Sequence, residues 1–203
     1  VFGATLSSQA MAKRSENVKA LFITGAIVGS LLAILLSSRI FVRFYRASSA
    51  SMEPTVRMGE TMVVVRTKNI RRGDIITFQY PPNPRLLFAC RVVATSGDTI
   101  AIRDKQVFLN GTLLEEPYVH HEDPAVYPAS NFLPEPQRSR DQFGPYRVPL
   151  AHVFVLGDNR GHSSDSRYWG SVPMELVRGK VTVVYGRDGI RRMTSIPAED
   201  PPQ

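Results

Sequence analysis

Between Ala20 and Ser38 runs a stretch of about nineteen residues without a single charged side chain. As a helix it would span roughly 28 Å, close to the ~30 Å hydrocarbon core of a bilayer. A helix on the surface of a soluble protein keeps one polar face, which this segment lacks. A cleavable secretory signal fits less well, because Arg39, Phe41, Arg43 and Phe44 follow rather than a cleavage site of small residues. We therefore expect an N-terminal flank over 1–19 and a transmembrane helix over 20–38. Lys13, Arg14 and Lys19 precede the span and Arg39, Arg43 and Arg46 follow it, so positive charge gives no orientation. Met11-Ala12-Lys13-Arg14 resembles a natural start, which makes residues 1–10 candidates for non-native sequence.

Past the span the pattern changes to short β-branched runs: Thr61–Arg66, Asp74–Tyr80, Leu87–Thr95, Thr99–Ile102, Val107–Leu114, Val153–Leu156 and Val181–Tyr185. These read as strands, and Asn110-Gly111 inside the fifth run reads as a tight hairpin turn whose two central residues need positive φ. No helical periodicity of comparable length follows residue 45, so the expected class is mainly β, over 39–190, with a tail over 191–203. Pro117–Pro149 holds seven of the fifteen prolines and reads as an insertion, since proline cannot donate to a sheet ladder. At 203 residues the chain has room for one such domain and one active site. The formal charge of +7 accompanies no helix-turn-helix, zinc-finger or aromatic RNA-binding pattern, so a lipid surface is favoured over nucleic acid. Cys90 is the only cysteine, which excludes an intramolecular disulfide and a cysteine-based zinc cluster.

Four blocks carry the candidate chemistry. Ser48-Ser49-Ala50-Ser51-Met52-Glu53-Pro54-Thr55 comes first, then Arg72-Gly73-Asp74-Ile75-Ile76, then Arg91-Val92-Val93 with Gly97-Asp98. The last is Gly157-Asp158-Asn159-Arg160 with Ser163, Asp165-Ser166-Arg167 and Gly170. Alone, the first block reads as a loop of local hydrogen bonds. Together and in this order, after one apolar span, the four blocks resemble the conserved boxes of bacterial type I signal peptidases (leader peptidases, peptidase family S26), from about Ala20 to Tyr185.

The resemblance implies a fold and a set of roles. Ser51 matches the nucleophile, whose hydroxyl must pass its proton to a base before it can attack an amide. Ser49 matches the hydroxyl that joins the Ser51 N–H in holding the oxyanion, Met52 a residue lining the substrate cleft, and Ser163 the serine that orients the base. Asp165 with Arg167 match a structural ion pair, and Asp158 and Arg160 further polar struts. For Met52 simple apolar packing is an equal alternative.

One position departs from the pattern. The family's general-base lysine stands immediately before Arg91, where this chain has Cys90. A thiol titrates in a usable range, but its sulfur lies one bond beyond Cβ where the amine lies four, so the acceptor is withdrawn by roughly 3–4 Å. A base must come within about 2.6–3.2 Å of the proton it takes, which argues against direct transfer to Cys90. Lys68 and Lys105 match no motif and read as solvated charges. His162 adjoins Ser163 and is a candidate surrogate base, against the simpler reading of an exposed loop histidine. His120, His121, Glu122 and Asp123 sit side by side on a proline-rich loop, a poor arrangement for one metal ion, so neither metal nor cofactor is expected.

The function implied is a single-pass serine endopeptidase of the cytoplasmic membrane, its catalytic domain on the extracytoplasmic side, removing signal peptides from exported preproteins after small residues. Its implied partners are those preproteins and membrane lipid; the oligomeric state is open. Phe41, Val42, Phe44 and Tyr45 are candidates for interfacial contact. The alternative is a non-catalytic paralogue that binds exported or surface-fibre proteins, favoured by the loss of lysine and opposed by the retention of Ser49, Ser51 and Ser163.

Overall fold

The computed structural model describes residue 19 and residues 23–30, 41–128 and 139–194. Residues 23–30 are helical with exposed side chains. No helix among the described residues is long and apolar enough to cross a membrane. The expected span over 20–38 falls largely outside them, as do residues 1–10. The compact β-rich unit begins at Val42.

That unit is mainly β, as the alternation of the runs indicates. Its larger sheet comprises β1 (Val42–Arg46), β2 (Thr61–Val65), β3 (Ile75–Tyr80), β4 (Asn83–Thr95), β9 (His152–Leu156), β10 (Val172–Pro173), β11 (Val177–Gly186) and β12 (Gly189–Arg192). Their order is β1-β2-β11-β3-β4-β9-β10, with β12 paired to β11, and every pairing is antiparallel. The smaller sheet, β7-β6-β5-β8, comprises β5 (Thr99–Arg103), β6 (Gln106–Leu109), β7 (Thr112–Leu113) and β8 (Phe143–Arg147). Short turns join only β3 to β4 and β11 to β12 in the larger sheet; β11 enters between β2 and β3, and β9 beside β4, from distant parts of the chain.

Strand alternation assigns side chains to separate cores. Val153 and Val155 of β9 pack with Ile76, Phe78, Cys90 and Val92, while Phe154 and Leu156 pack with Ile100, Ile102 and Phe143. The opposite faces of β9 thus serve two cores. A third core joins Met52, Val56, Met62, Val64, Ile75, Val181 and Val184, and it backs the segment that follows β1.

The expected hairpin turn is present: Asn110 and Gly111 have φ of 52° and 88°. Other features depart from the sequence reading. Tyr45 of β1 packs against the third core, not outward toward lipid, while Phe44 is 69 % exposed. The insertion returns to the fold as β8, which pairs with β5. Strand β11 begins at Val177, four residues before the expected run, through a bulge at Gly179. A Cβ at Gly179 would meet the Val65 carbonyl oxygen at 2.4 Å, so glycine alone permits the close approach of β2. Lys105 is not a solvated charge: it lies 4.0 Å from Asp141, donates to the Asp123 carbonyl and is largely buried.

Candidate active site

The segment after β1 turns back on itself through Glu53 N–H to Ala50 O at 3.1 Å and Val56 N–H to Met52 O at 2.8 Å. Val56 and Met52 are buried, which anchors the turn and leaves Ser49 and Ser51 facing a cleft of about 440 Å³. Ser49 Oγ and Ser51 Oγ are 3.0 Å apart. Met52, Thr77 of β3, Cys90 of β4 and His162 line the same cleft, and no lysine among the described residues does.

The far side of the turn is held by the loop after β9. Asn159 N–H donates to the Ser51 carbonyl at 3.1 Å. Gly157 fits where nothing larger can, since a Cβ there would lie 2.2 Å from Ser163 Oγ and 2.5 Å from the Ser51 carbonyl oxygen. Without a side chain at Gly157, the Ser51 carbonyl and the Ser163 hydroxyl both close on its α-carbon. The resemblance implied Ser51 as nucleophile and Ser163 as the serine orienting the base; the Ser51 carbonyl and the Ser163 hydroxyl both lie against Gly157.

Cys90 is 1 % exposed and sits opposite Ile76 in the β3–β4 ladder. Burial pushes its thiol well above the ordinary cysteine range, and the Asp165 and Asp158 carboxylates push the same way, while Ser163 and Arg167 partly oppose them. The group is a neutral thiol at any physiological pH, with no basic lone pair comparable to that of an amine. Ser163 Oγ lies beside it, buried and without a complete hydrogen bond. Thr77 Oγ1 is likewise buried without a partner.

The charged struts form two clusters. Arg91 grips Asp158 through Nε at 2.9 Å and Nη2 at 2.6 Å, donates to the Gly73 carbonyl, and stacks 3.9 Å from the Tyr118 ring centroid. Asp158 therefore pairs with Arg91 and not with Arg160, whose partners are Glu116 at 2.5 Å and the Gly157 carbonyl. Asp165 accepts from Arg167 Nε at 2.8 Å, from Gly157 N–H at 3.1 Å and from Arg167 N–H, which caps the one-turn helix Ser166–Trp169. Arg167 also donates to the Arg160 and Arg140 carbonyls. The tight bidentate pairs satisfy charges that would be expensive to bury alone, and they fix the loop carrying Gly157 and Ser163.

Sequence reasoning missed Glu116, just before the proline-rich insertion, and Tyr118 within it, and weighed Glu122 only as part of an unfavourable metal cluster. His120 N–H donates to the Asp158 carbonyl and Arg160 N–H to the His120 carbonyl, which lays the insertion along the site loop. His121 is held below the usual histidine range by burial and by Arg160 and Lys105. Among the described residues no three metal-ligating side chains converge.

Comparison with known proteins agrees with the motifs. The family profile described as "Signal peptidase, peptidase S26" matches residues 16–186. Signal peptidase I of Aquifex aeolicus (strain VF5) is 31 % identical, over 76 % of this chain and 80 % of that one. Signal peptidase I V of Bacillus subtilis (strain 168) is 32 % identical, over 79 % of this chain and 95 % of that one. The crystal structure of a signal peptidase I from Enterococcus faecalis V583 is 32 % identical, covers 56 % of this chain and 97 % of that chain, and superposes with a TM-score of 0.43. With blocks, β-rich unit and family profile in agreement over most of its length, this chain belongs to the signal peptidase family, peptidase S26.

Proposed function

We propose that this chain is a membrane-anchored serine endopeptidase that removes signal peptides from exported preproteins, with Ser51 as the nucleophile. The observation that carries the reading is the Ser49–Ser51 hydroxyl pair, 3.0 Å apart on the wall of a 440 Å³ cleft. An extended preprotein lies in that cleft. Ser51 Oγ attacks the scissile carbonyl, and its proton leaves for a base as the Oγ–C bond forms. Charge then develops on the carbonyl oxygen, where the Ser51 N–H and the Ser49 hydroxyl receive it. Donors already in place stabilise this charge without reorganising, which makes them worth about two to three orders of magnitude each. The C–N bond breaks, the amine takes up the proton and departs, and water then releases the signal peptide from Ser51.

Met52 forms part of the cleft wall and Ser163 contributes to the polar surround of the base position. Asp158, Arg160, Asp165 and Arg167 act structurally, through the ion pairs and carbonyl contacts that hold the loop. The apolar segment 20–38 anchors the chain, with the β unit on the extracytoplasmic side. Exposed Phe41 and Phe44 suit the interface between lipid and water.

The neutral Cys90 thiol supports a second reading, a preprotein-binding paralogue that does not turn over. Incubating a preprotein with the detergent-solubilised chain separates the two. Cleavage that disappears in Ser51→Ala supports the peptidase. Binding without cleavage, unchanged by Cys90→Lys, supports the paralogue.

A further inference from the structure

We propose that His162, oriented by Glu122, is the general base for Ser51 in this chain. The proposal rests on the peptidase reading above and names the group that the Cys90 position does not supply.

Three observations converge on it. His162 lines the Ser51 cleft. Its Nδ1 lies 2.8 Å from Glu122 Oε2, which sets a carboxylate beside one ring nitrogen. Asn159 ties the three residues together: its N–H donates to the Ser51 carbonyl at 3.1 Å, its carbonyl accepts from His162 N–H at 3.2 Å, and its Nδ2 donates to Glu122 Oε1 at 3.1 Å. A nucleophile, an imidazole and a carboxylate gathered by one buried residue are the parts from which a carboxylate-oriented imidazole base is built. Such arrangements are recognised by geometry and role rather than by chain order.

The competing groups are weaker. Cys90 is a buried neutral thiol, and Lys68, Lys105 and Lys180 do not line the cleft. Lys105 is engaged with Asp141 and Lys180 with Asp74.

In the first step His162 Nε2 takes the Ser51 Oγ proton as Oγ bonds to the scissile carbon. The imidazolium returns that proton to the leaving nitrogen as the C–N bond breaks. In the second step Nε2 takes a proton from water, the hydroxyl adds to the acyl carbon, and the Oγ–C bond breaks with the proton passing back to Ser51. No oxidant or metal enters the balance.

The test is preprotein cleavage by the detergent-solubilised full chain. Its variants are Ser51→Ala, His162→Ala, Cys90→Lys and Cys90→Lys with His162→Ala. His162→Ala should lower kcat by about two orders of magnitude or more, as removal of a general base does. Added imidazole should restore part of that loss, which a purely structural role would not show, and the double variant should keep the activity of Cys90→Lys. His162→Ala as active as the unmodified chain overturns the inference and leaves the peptidase reading intact. So does an unmodified chain that is inactive while Cys90→Lys cleaves, or a double variant as impaired as His162→Ala where Cys90→Lys alone is more active than the unmodified chain. Failure of every form to cleave, Cys90→Lys included, overturns the peptidase reading and the inference with it.

Discussion

Ser163 Oγ and the Ser51 carbonyl oxygen both press against the α-carbon of Gly157, each close enough that a methyl group there would meet them at 2.2 Å and 2.5 Å. Gly157→Ala must therefore move one serine or the other. Overpacking of this kind typically costs about 1–3 kcal/mol. We expect that loss in urea denaturation, with preprotein cleavage falling further than the stability change accounts for, because the displaced groups flank the nucleophile.

The Ser49 hydroxyl, 3.0 Å from Ser51 Oγ, is placed to act on charge that appears only during the reaction. Ser49→Ala should lower kcat by about 10²–10³-fold with little change in KM. A rise in KM at constant kcat would assign Ser49 to substrate binding instead.

Cys90 gives a pH signature. Burial, then Asp165 and Asp158, raise its folded pKa, whereas an unfolded cysteine ionises near about 8.5. Above that pH the unfolded chain loses the proton and the folded chain keeps it, so the unfolded state binds fewer protons and stability falls as pH rises, with a slope of up to about 1.4 kcal/mol per unit. Below the unfolded value the contribution is complete. Urea midpoints from pH 7 to 10 should show this decline in the unmodified chain and a shallower one in Cys90→Ser. The native thiol should also resist aqueous thiol reagents that react once the chain is unfolded.

The Arg91–Asp158 pair is buried, with exposures of 2 % and 0 %, and bidentate. Asp158→Ala leaves a guanidinium charge inside the fold without its bidentate carboxylate partner. Removing one partner of such a pair costs about 3–5 kcal/mol. Denaturant unfolding of this variant should show a loss of that order.

How far these features were legible in the sequence depends on their range. Seven apolar runs and the Asn110-Gly111 turn announced most of the sheet, because strand alternation and positive φ are local properties. The strands that escaped notice each carry a reason. Gly144-Pro145 lies within β8, Pro173 within β10, and β12 is Gly189-Ile190-Arg191-Arg192, so none shows a β-branched run. The aromatic residues of β1 suit a lipid interface as well as a core, and only packing separates Tyr45 from Phe44. At the site, Ser51, Cys90 and Ser163 come from distant parts of the chain, and their grouping was legible through the motif blocks alone. Tyr118 and Glu122 lie in a proline-rich segment without periodicity and Glu116 just before it, and their contacts are ones that no local pattern encodes.

The most direct measurement of the central claim is preprotein cleavage by Cys90→Lys beside Cys90→Lys with Ser51→Ala, with the new N-terminus of the product identified by mass. Restoring an amine to the base position isolates the serine from any question about the proton acceptor. The account predicts cleavage after a small residue in the single variant and loss of at least about 10³-fold in the double variant. Equal cleavage by both, or none by the single variant while it remains folded, would contradict it.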